Sequence, residues 1–197
     1  MGSSPTAGTN SIALHQVFTT VETPAKTLIL VNPVAGAGRA RRAERQVAAY
    51  LRQQGFPADF VEPQDAGELR RRAAEAVAAG YERIVALGGD GTFQQVVKAT
   101  LGSDVVLGFI PAGGGNDIAA ALGIPKDPVE AAHIFLHSPP RRMDVLRASL
   151  AQNKTGLYVG CGGLGLDAEA AGLANGKFRR LPGAARYIAG ALWALAT

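Results

Sequence analysis

Three short runs of apolar or β-branched residues, each followed by a glycine-rich loop and a helical segment, limit the folds open to this chain. They span Thr27–Val31, Ile84–Leu87 and Val105–Ile110. None of them alternates apolar with polar residues, and such strands are typical of a parallel sheet that is covered on both faces. The alternation of strands with helices therefore predicts an α/β fold in three layers, with a parallel sheet at its centre.

The middle run leads into Gly-Gly-Asp-Gly-Thr at residues 88–92. The glycines leave backbone N–H groups open to a ligand, and a helix N-terminus beside them suits a phosphate. Asp90 would repel a phosphate unless it held a metal ion or took up a proton, which indicates chemistry rather than simple anion binding. Thr92 and Gln95 fit a capping box, which predicts that the next helix begins there. The alternative for this stretch alone is an ordinary strand-to-helix turn with a solvated aspartate.

The organisation of the chain is predicted to change near residue 140. Before it, Asp65 with Glu68 is expected to open a helix that stops before Gly80. After it, two strands follow each other without a helix between them, which predicts antiparallel pairing and a second, smaller domain. We therefore predict a loose tail over residues 1–25, a nucleotide-binding domain over 26–140 and the beginning of a second domain over 141–197.

The other predicted elements are a helix ending near Gly55, a weak strand over Phe56–Val61, a helix to about Leu101, a short helix to Leu122, a helix over Asp127–His137, strands over Met143–Leu150 and Gly156–Gly160, a turn over Gly162–Ala168 and a helix over Leu181–Ala196.

The net charge and the cysteine content of the chain limit its candidate binding partners and exclude an intrachain disulfide. The net charge is +4, with 20 Lys and Arg against 16 Asp and Glu. Mild basicity fits anionic partners such as nucleotides or acidic membrane surfaces, although a solvated helix face is the commoner cause. The single Cys161 excludes an intrachain disulfide and is expected to be a small buried hydrophobe. Neither a membrane span nor a signal peptide is indicated, so we expect a cytoplasmic protein.

Several familiar sites do not fit this sequence. There is no Walker A motif, and the third glycine of a dinucleotide fingerprint would fall on Arg41. There is also no Gly-x-Ser-x-Gly motif for a serine hydrolase. His133 and His137 are spaced to share a helix face, but they have no third ligand nearby.

Carboxylates are the groups that do converge. Asp90, Asp117 and Asp144 each stand at a strand end or at the domain junction. Ligands of such sheets bind outside the carboxyl ends of the strands, where the three glycine loops are expected to meet. Carboxylates gathered there would repel one another unless a divalent ion such as Mg²⁺ neutralised them, and this combination points to phosphoryl transfer. The alternatives are helix capping for Asp117 and a solvated position for Asp144.

The ordered set of motifs resembles the catalytic domain of the diacylglycerol kinase family. This family includes bacterial lipid kinases and sphingosine kinases, and it is more distantly similar to NAD kinase. The motifs are Asn-Pro-Val-Ala-Gly at residues 32–36, Gly-Gly-Asp-Gly-Thr at 88–92, Gly-Gly-Gly-Asn-Asp at 113–117, Ile-Ala-Ala-Ala-Leu-Gly-Ile-Pro at 118–125, Arg-Arg-Met-Asp-Val at 141–145 and Gly-Leu-Gly-Leu-Asp-Ala-Glu at 163–169.

The resemblance implies an ATP-dependent kinase that phosphorylates a hydroxyl of a lipid, either diacylglycerol or a sphingoid-type acceptor, at a membrane surface. Asp90 would be the catalytic residue, and Asp117 with Asp144 would complete a network around Mg²⁺. Asp167 would face the head group of the acceptor. Because the family continues into an antiparallel domain that covers the lipid, the resemblance also implies that the second domain is incomplete here. The implied nucleotide contacts are Asn32, Pro33, Val34, Ala35, Gly36, Gly88, Gly89, Asp90, Gly91, Thr92, Phe93, Gln94, Gly114 and Asn116.

Two alternatives stay open at this level. One is an NAD kinase-like enzyme, which shares Gly-Gly-Asp-Gly-Thr, and the other is a nucleotide-binding fragment without transferase activity. Gly114 and Gln95 also depart from the family pattern, which usually has threonine and glutamate there. No nucleic-acid partner is expected. The apolar C-terminal helix over Leu181–Ala196 is expected to be covered by an anionic bilayer, by a second copy of the chain or by the chain's own sheet.

Overall fold

A parallel sheet forms the centre of the protein, and the predicted α/β class is confirmed. The computed structural model describes residues 25–150, 154–160, 166–181 and 185–196, so the predicted tail lies, apart from Ala25, outside the described residues. The strands of the sheet are β1 (Thr27–Val31), β2 (Asp59–Val61), β3 (Arg83–Gly88) and β4 (Val106–Pro111). They lie in the order β2-β1-β3-β4, and every pair is parallel.

Helices cover both faces of this sheet, which gives the three predicted layers. Alternate side chains of β1 show the division, because Leu28 and Leu30 belong to one apolar core and Ile29 and Val31 to the other. The first core is closed by α2 (Ala66–Ala78) and α3 (Asp90–Thr100), together with the short α4 (Asp117–Ala121). The second core is closed by α1 (Arg39–Gln53) and α5 (Pro128–His137).

The predicted start of α2 is confirmed. The side chain of Asp65 accepts a hydrogen bond from the backbone N–H of Glu68 at 2.8 Å, and the Glu68 carboxylate accepts one from the N–H of Gln64 at 2.9 Å. The first of these bonds is the main reason that the pKa of Asp65 lies below its usual value. The chain leaves the helix through Gly80, whose φ of +73° favours glycine.

The predicted start of α3 is wrong. The helix begins at Asp90, and the residue before it, Gly89, supplies no side-chain cap. Thr92 lies inside the first turn and is buried, and its hydroxyl oxygen accepts a hydrogen bond from the Asn32 side chain at 3.0 Å. Gln95 accepts a bond from Arg70 instead of reaching back to the helix start. The capping box does not form because both side chains are bound to distant partners.

The segment after residue 140 contains an antiparallel strand pair, as predicted, and two helices. The strands are β5 (Leu146–Leu150) and β6 (Lys154–Tyr158). The helices α6 (Leu166–Asn175) and α7 (Ala185–Ala196) pack so closely that a Cβ on Gly190 would come within 2.5 Å of the Ala170 carbonyl oxygen. The predicted turn over Gly162–Ala168 is wrong from Leu166 onward, and its earlier part lies outside the described residues, as does Cys161.

The division into two domains near residue 140 stays a prediction. No helix among the residues that the structure describes has the length and apolar character needed to cross a membrane.

Candidate active site

Three glycine-rich loops meet at the carboxyl edge of the sheet. We call them loop 1 (residues 32–38), loop 2 (residues 88–91) and loop 3 (residues 112–116), and they follow β1, β3 and β4, which are neighbours in the sheet. The hydrogen bonds between the parallel strands continue into the loops. The N–H of Asn32 donates to the Leu87 carbonyl at 2.9 Å, and the N–H of Ala112 donates to the Gly88 carbonyl at 2.6 Å. The predicted convergence of the three loops on one edge of the sheet is therefore present.

The loops contact one another through their backbones, which explains several of their glycines. A Cβ on Gly113 would lie 2.5 Å from the Cα of Gly89, and a Cβ on Gly36 would overlap the carbonyl oxygen of Ala112. Gly36 also has a φ of +61°, which favours glycine, whereas Gly89 has an ordinary extended conformation. Gly89 therefore serves close packing and not an unusual dihedral angle.

Side chains fasten the same three loops together. Arg39 donates from Nε to the Gly36 carbonyl at 3.0 Å and from a terminal nitrogen to the Gly113 carbonyl at 2.6 Å, which joins loop 1 to loop 3. The bond from Asn32 to Thr92 joins loop 1 to α3. The edge of the sheet is thus one connected surface.

Asp90 stands where loop 2 meets loop 3. Its two carboxylate oxygens accept hydrogen bonds from the backbone N–H groups of Asp117 at 3.2 Å and Ile118 at 3.0 Å, so Asp90 caps the start of α4 from another helix. An ionised carboxylate has about four acceptor positions, and these two bonds leave about half of them for a ligand. Asp90 is only partly buried, so a ligand can reach it.

Asn116 shapes loop 3. Its φ of +63° places it in the left-handed region, which asparagine tolerates better than most residues. Its side-chain oxygen accepts from the Gly113 N–H at 2.9 Å, and its amide group donates to the Gly113 carbonyl at 3.1 Å. Both polar ends of this buried side chain are therefore engaged within the loop.

Two of the three residues predicted to hold Mg²⁺, Asp90 and Asp117, are in contact through the backbone of Asp117. The backbone N–H of Asp117 donates to the Asp90 carboxylate, and Asp117 is exposed. Asp144 is exposed as well, but within the described residues no group of three or more His, Cys, Asp or Glu side chains is placed to hold a metal ion. Mg²⁺ is usually bound through one or two carboxylates together with substrate phosphates, and the open acceptor positions of Asp90 and the exposed carboxylate of Asp117 have the ligand chemistry that this ion prefers.

Comparison with known proteins shows the family of this chain. Residues 26–148 match the family model described as the diacylglycerol kinase catalytic domain. The chain belongs to the diacylglycerol kinase catalytic-domain family. The family predicted from the motifs is thereby confirmed.

Individual relatives from this family match the chain over part of their length. A diacylglycerol kinase of Mycobacterium tuberculosis is 36% identical over 123 residues, which are 62% of this chain and 40% of that protein. A probable lipid kinase YegS-like of Pseudomonas putida is 34% identical over 146 residues, which are 73% of this chain and 48% of that protein. A solved putative diacylglycerol kinase from Bacillus anthracis matches with a TM-score of 0.55 and 28% identity over 61% of this chain and 44% of that one. The chain thus spans less than half the length of these relatives.

Some residues of the family motifs are accessible to a ligand, and others are buried in the core. Phe93 is 3% exposed and stacks on Phe109 with ring centroids 4.7 Å apart, so its side chain belongs to the core. Val34 is 81% exposed, and a Cβ on Gly91 or Gly114 would meet no atom within 4 Å from beyond its chain neighbours and, for Gly91, its own helix backbone. Pro33 and Ala35, two further predicted nucleotide contacts in loop 1, are partly buried. The side chain of Asp167 lies outside the described residues.

Gln94 connects α3 to Val159, the residue that follows β6. Its amide nitrogen donates to the Val159 carbonyl at 2.8 Å, and its oxygen accepts from the Val159 N–H at 3.1 Å. Val159 itself is buried and belongs to the core that α3 closes. Gln94 is therefore a structural clamp in this family motif, a role that its place in the sequence did not indicate.

Replacing Gln94 by alanine should release the chain around Val159. A buried backbone N–H and a buried carbonyl would lose their partner, and such a loss costs about 1–3 kcal/mol. Hydrogen exchange should therefore speed up at the Val159 amide while the amides of β1 and β3 keep their protection. The matched variant Gln95→Ala removes a surface bond to Arg70 and should leave Val159 protected. Equal protection of Val159 in both variants would contradict the clamp.

A group of cations beside loop 3 was not predicted from the sequence. Arg39, Arg42 and Lys126 line a cleft of about 260 Å³ together with Gly113–Gly115 and Asn116. Arg39, Arg42 and Gln46 follow the three- and four-residue spacing of one helix face, which was the available signal. The position of Lys126 beside them could not be read from spacing, because it depends on how α5 packs.

Proposed function

We propose that this protein is the nucleotide-binding part of an ATP-dependent lipid kinase, which transfers the γ-phosphoryl group to a hydroxyl of diacylglycerol or a sphingoid-type lipid. The observation that carries the proposal is the position of Asp90. Its carboxylate stands at the junction of two open glycine loops, is fixed there by two backbone N–H groups and keeps acceptor capacity for a reacting group. A solvated aspartate in an ordinary turn would not be held in this way.

The glycine loops provide the phosphate site of this proposal. Gly91 and Gly114 carry no side chain and face open space, so phosphate oxygens can approach the backbone of loops 2 and 3. α3 begins at loop 2, and the positive end of its dipole favours a negative charge at that point. We therefore assign the triphosphate to loops 2 and 3.

Asp90 and Asp117 would hold Mg²⁺ in the complex with ATP. The ion would supply charge neutralisation of the phosphate oxygens. The residues of the chain do the remaining work: the loops orient the γ-phosphate, and Asp90 accepts the proton of the attacking hydroxyl at a carboxylate oxygen. On the family resemblance, Asp167 is the proposed contact to the acceptor's head group.

Transfer of labelled γ-phosphate from Mg·ATP tests this function. Diacylglycerol, sphingosine, phosphatidylglycerol and NAD are offered separately, and label is expected in the product of diacylglycerol or sphingosine. Label only in the product of NAD would favour an NAD kinase-like enzyme. Binding of Mg·ATP without transfer to any of the four would favour a non-catalytic nucleotide-binding protein.

Helix α7 is proposed to contact the membrane that carries the lipid. Ile188, Leu192 and Leu195 are spaced to share a helix face, and all three are at least 60% exposed. Three basic residues, Lys177, Arg179 and Arg180, lie between α6 and α7. Basic residues beside an apolar helix face favour an anionic bilayer, because each adds about 1 kcal/mol of attraction at an acidic surface.

Vesicle sedimentation tests this contact. The protein should bind vesicles of phosphatidylglycerol more strongly than vesicles of phosphatidylcholine, and Leu192→Ser should weaken that binding about tenfold because a leucine side chain no longer enters the bilayer. Leu101→Ser removes a half-exposed leucine between α3 and β4 and serves as the control. A wild-type protein that ignores anionic vesicles would overturn the proposal, and a dimer in light scattering would assign the exposed face to a second copy.

A further inference from the structure

A cleft of about 260 Å³ lies between α1, loop 3 and the start of α5. Three cations line it, Arg39 and Arg42 from α1 and Lys126 from the turn before α5, and no carboxylate is among its lining residues in the described part of the chain. Like charges gathered in one concavity repel each other and attract a counter-ion. The positive charge of the lining residues therefore favours an anionic ligand.

The charges of this cleft differ from those of neighbouring arginines. Arg41, also on α1, pairs with Glu62 at 3.0 Å, and Arg71 pairs with Glu75 at 2.8 Å. In contrast, Arg42 and Lys126 make no hydrogen bond or ion pair within the described residues. Their charges are left available to a ligand.

Arg39 and loop 3 give the cleft a fixed wall. The two bonds from Arg39 to the carbonyls of loops 1 and 3 hold its guanidinium at the wall of the cleft, while the remaining N–H groups stay unused. Gly114 lines the same cleft with open space in place of a side chain. A guanidinium beside an accessible backbone suits the oxygens of a phosphate.

We propose that this cleft is a second anion subsite, which binds a phosphate group other than the one transferred. Residues 88–94 do not line it, so it is separate from the surroundings of Asp90 although it shares loop 3. Its volume of about 260 Å³ lies below that of most small-molecule pockets, which begin at about 300 Å³, so it takes a phosphate with few attached atoms and not a whole nucleotide. The phosphate can belong to a lipid head group or be free in solution.

Inorganic phosphate is the first probe. Amide resonances of Ala43 and Gln46, which line the cleft on α1 and lie outside loops 2 and 3, are followed during a phosphate titration without nucleotide, Mg²⁺ or lipid, so the result does not depend on the proposed kinase activity. The shifts should saturate in the wild-type protein, and the Kd should rise about tenfold in Arg42→Gln and in Lys126→Gln because a charge-assisted bond is lost. Arg45→Gln removes the same charge from α1 outside the cleft and should leave the Kd within about twofold of the wild-type value.

Vesicles distinguish the two sources of the phosphate. If a lipid head group is the ligand, Arg42→Gln should bind phosphatidic acid vesicles more weakly than Arg45→Gln does, and free phosphate should compete. If free phosphate is the ligand, the two variants should bind the vesicles equally while their phosphate Kd values still differ. Shifts that do not saturate, or an equal loss in Arg42→Gln and Arg45→Gln, would overturn the subsite and leave only general charge attraction.

Discussion

Asp90→Asn should lower phosphoryl transfer about 100-fold or more while Mg·ATP still binds. Asparagine keeps the size of the side chain, and its oxygen can accept one of the two N–H bonds from the start of α4. Its amide nitrogen cannot accept the other bond, take up the hydroxyl proton or ligate Mg²⁺. The loops keep their N–H groups, so phosphate binding should survive. Labelled transfer and calorimetric titration with Mg·ATP measure the two effects separately.

Asp104→Asn is the matched control for this variant. Asp104 is exposed and precedes β4, at the opposite edge of the sheet from the glycine loops, so the same chemical change there should leave transfer unchanged. Wild-type turnover in Asp90→Asn would remove Asp90 from the reaction. An equal loss in both variants would point to a general effect of the lost charge.

Gly89→Val should abolish measurable Mg·ATP binding and lower the free energy of unfolding by about 1–3 kcal/mol. The new Cβ would lie 3.3 Å from the Cα of Gly113, and the two methyl groups would extend further into the space of loop 3. Because the obstacle is backbone, the two loops must separate, and the phosphate site between them is lost. Chemical unfolding and calorimetry follow the two quantities.

Gly91→Val tests whether bound Mg·ATP needs the space beside loop 2, separately from any effect on protein stability. Apart from its chain neighbours and the backbone of its own helix, no protein atom lies within 4 Å of the position that its Cβ would occupy. Stability should therefore stay within about 0.5 kcal/mol of the wild-type value, as for most surface changes. Mg·ATP binding should still weaken, because the side chain stands where phosphate approaches the backbone. Unchanged affinity in Gly89→Val would show that loop 2 does not hold the phosphate.

Elements that depend on neighbouring residues were predictable from the sequence. The bounds of β1 were predicted as observed, since five successive residues form a strand that is buried throughout. The cap of α2 was also found, because Asp65 and Glu68 are three residues apart and need no other part of the chain. The meeting of the three glycine loops at one edge of the sheet followed from strands that alternate with helices.

Elements that depend on distant residues were not predictable. α3 was placed three residues too late: Thr92 was expected at its N-cap, but Gly89 takes that position and Thr92 is bound to Asn32, sixty residues away. The clamp between Gln94 and Val159 spans 65 residues, and the cap that Asp90 gives to α4 spans 28. Hydrophobic spacing carries no information on such pairs. The helix α6 was missed for a local reason, since its Ala-rich sequence has no pronounced apolar stripe.

The direct backbone contact between the three glycine loops has a consequence for ligand affinity. Ordering a free residue costs about 1–2 kcal/mol of conformational entropy, and a binding site made of separate flexible loops would meet that cost when the ligand enters. Here the cost is met during folding, because Gly36 lies against Ala112 and Gly113 against Gly89. The phosphate site is preorganised, so most of the contact energy of an entering phosphate is available as affinity.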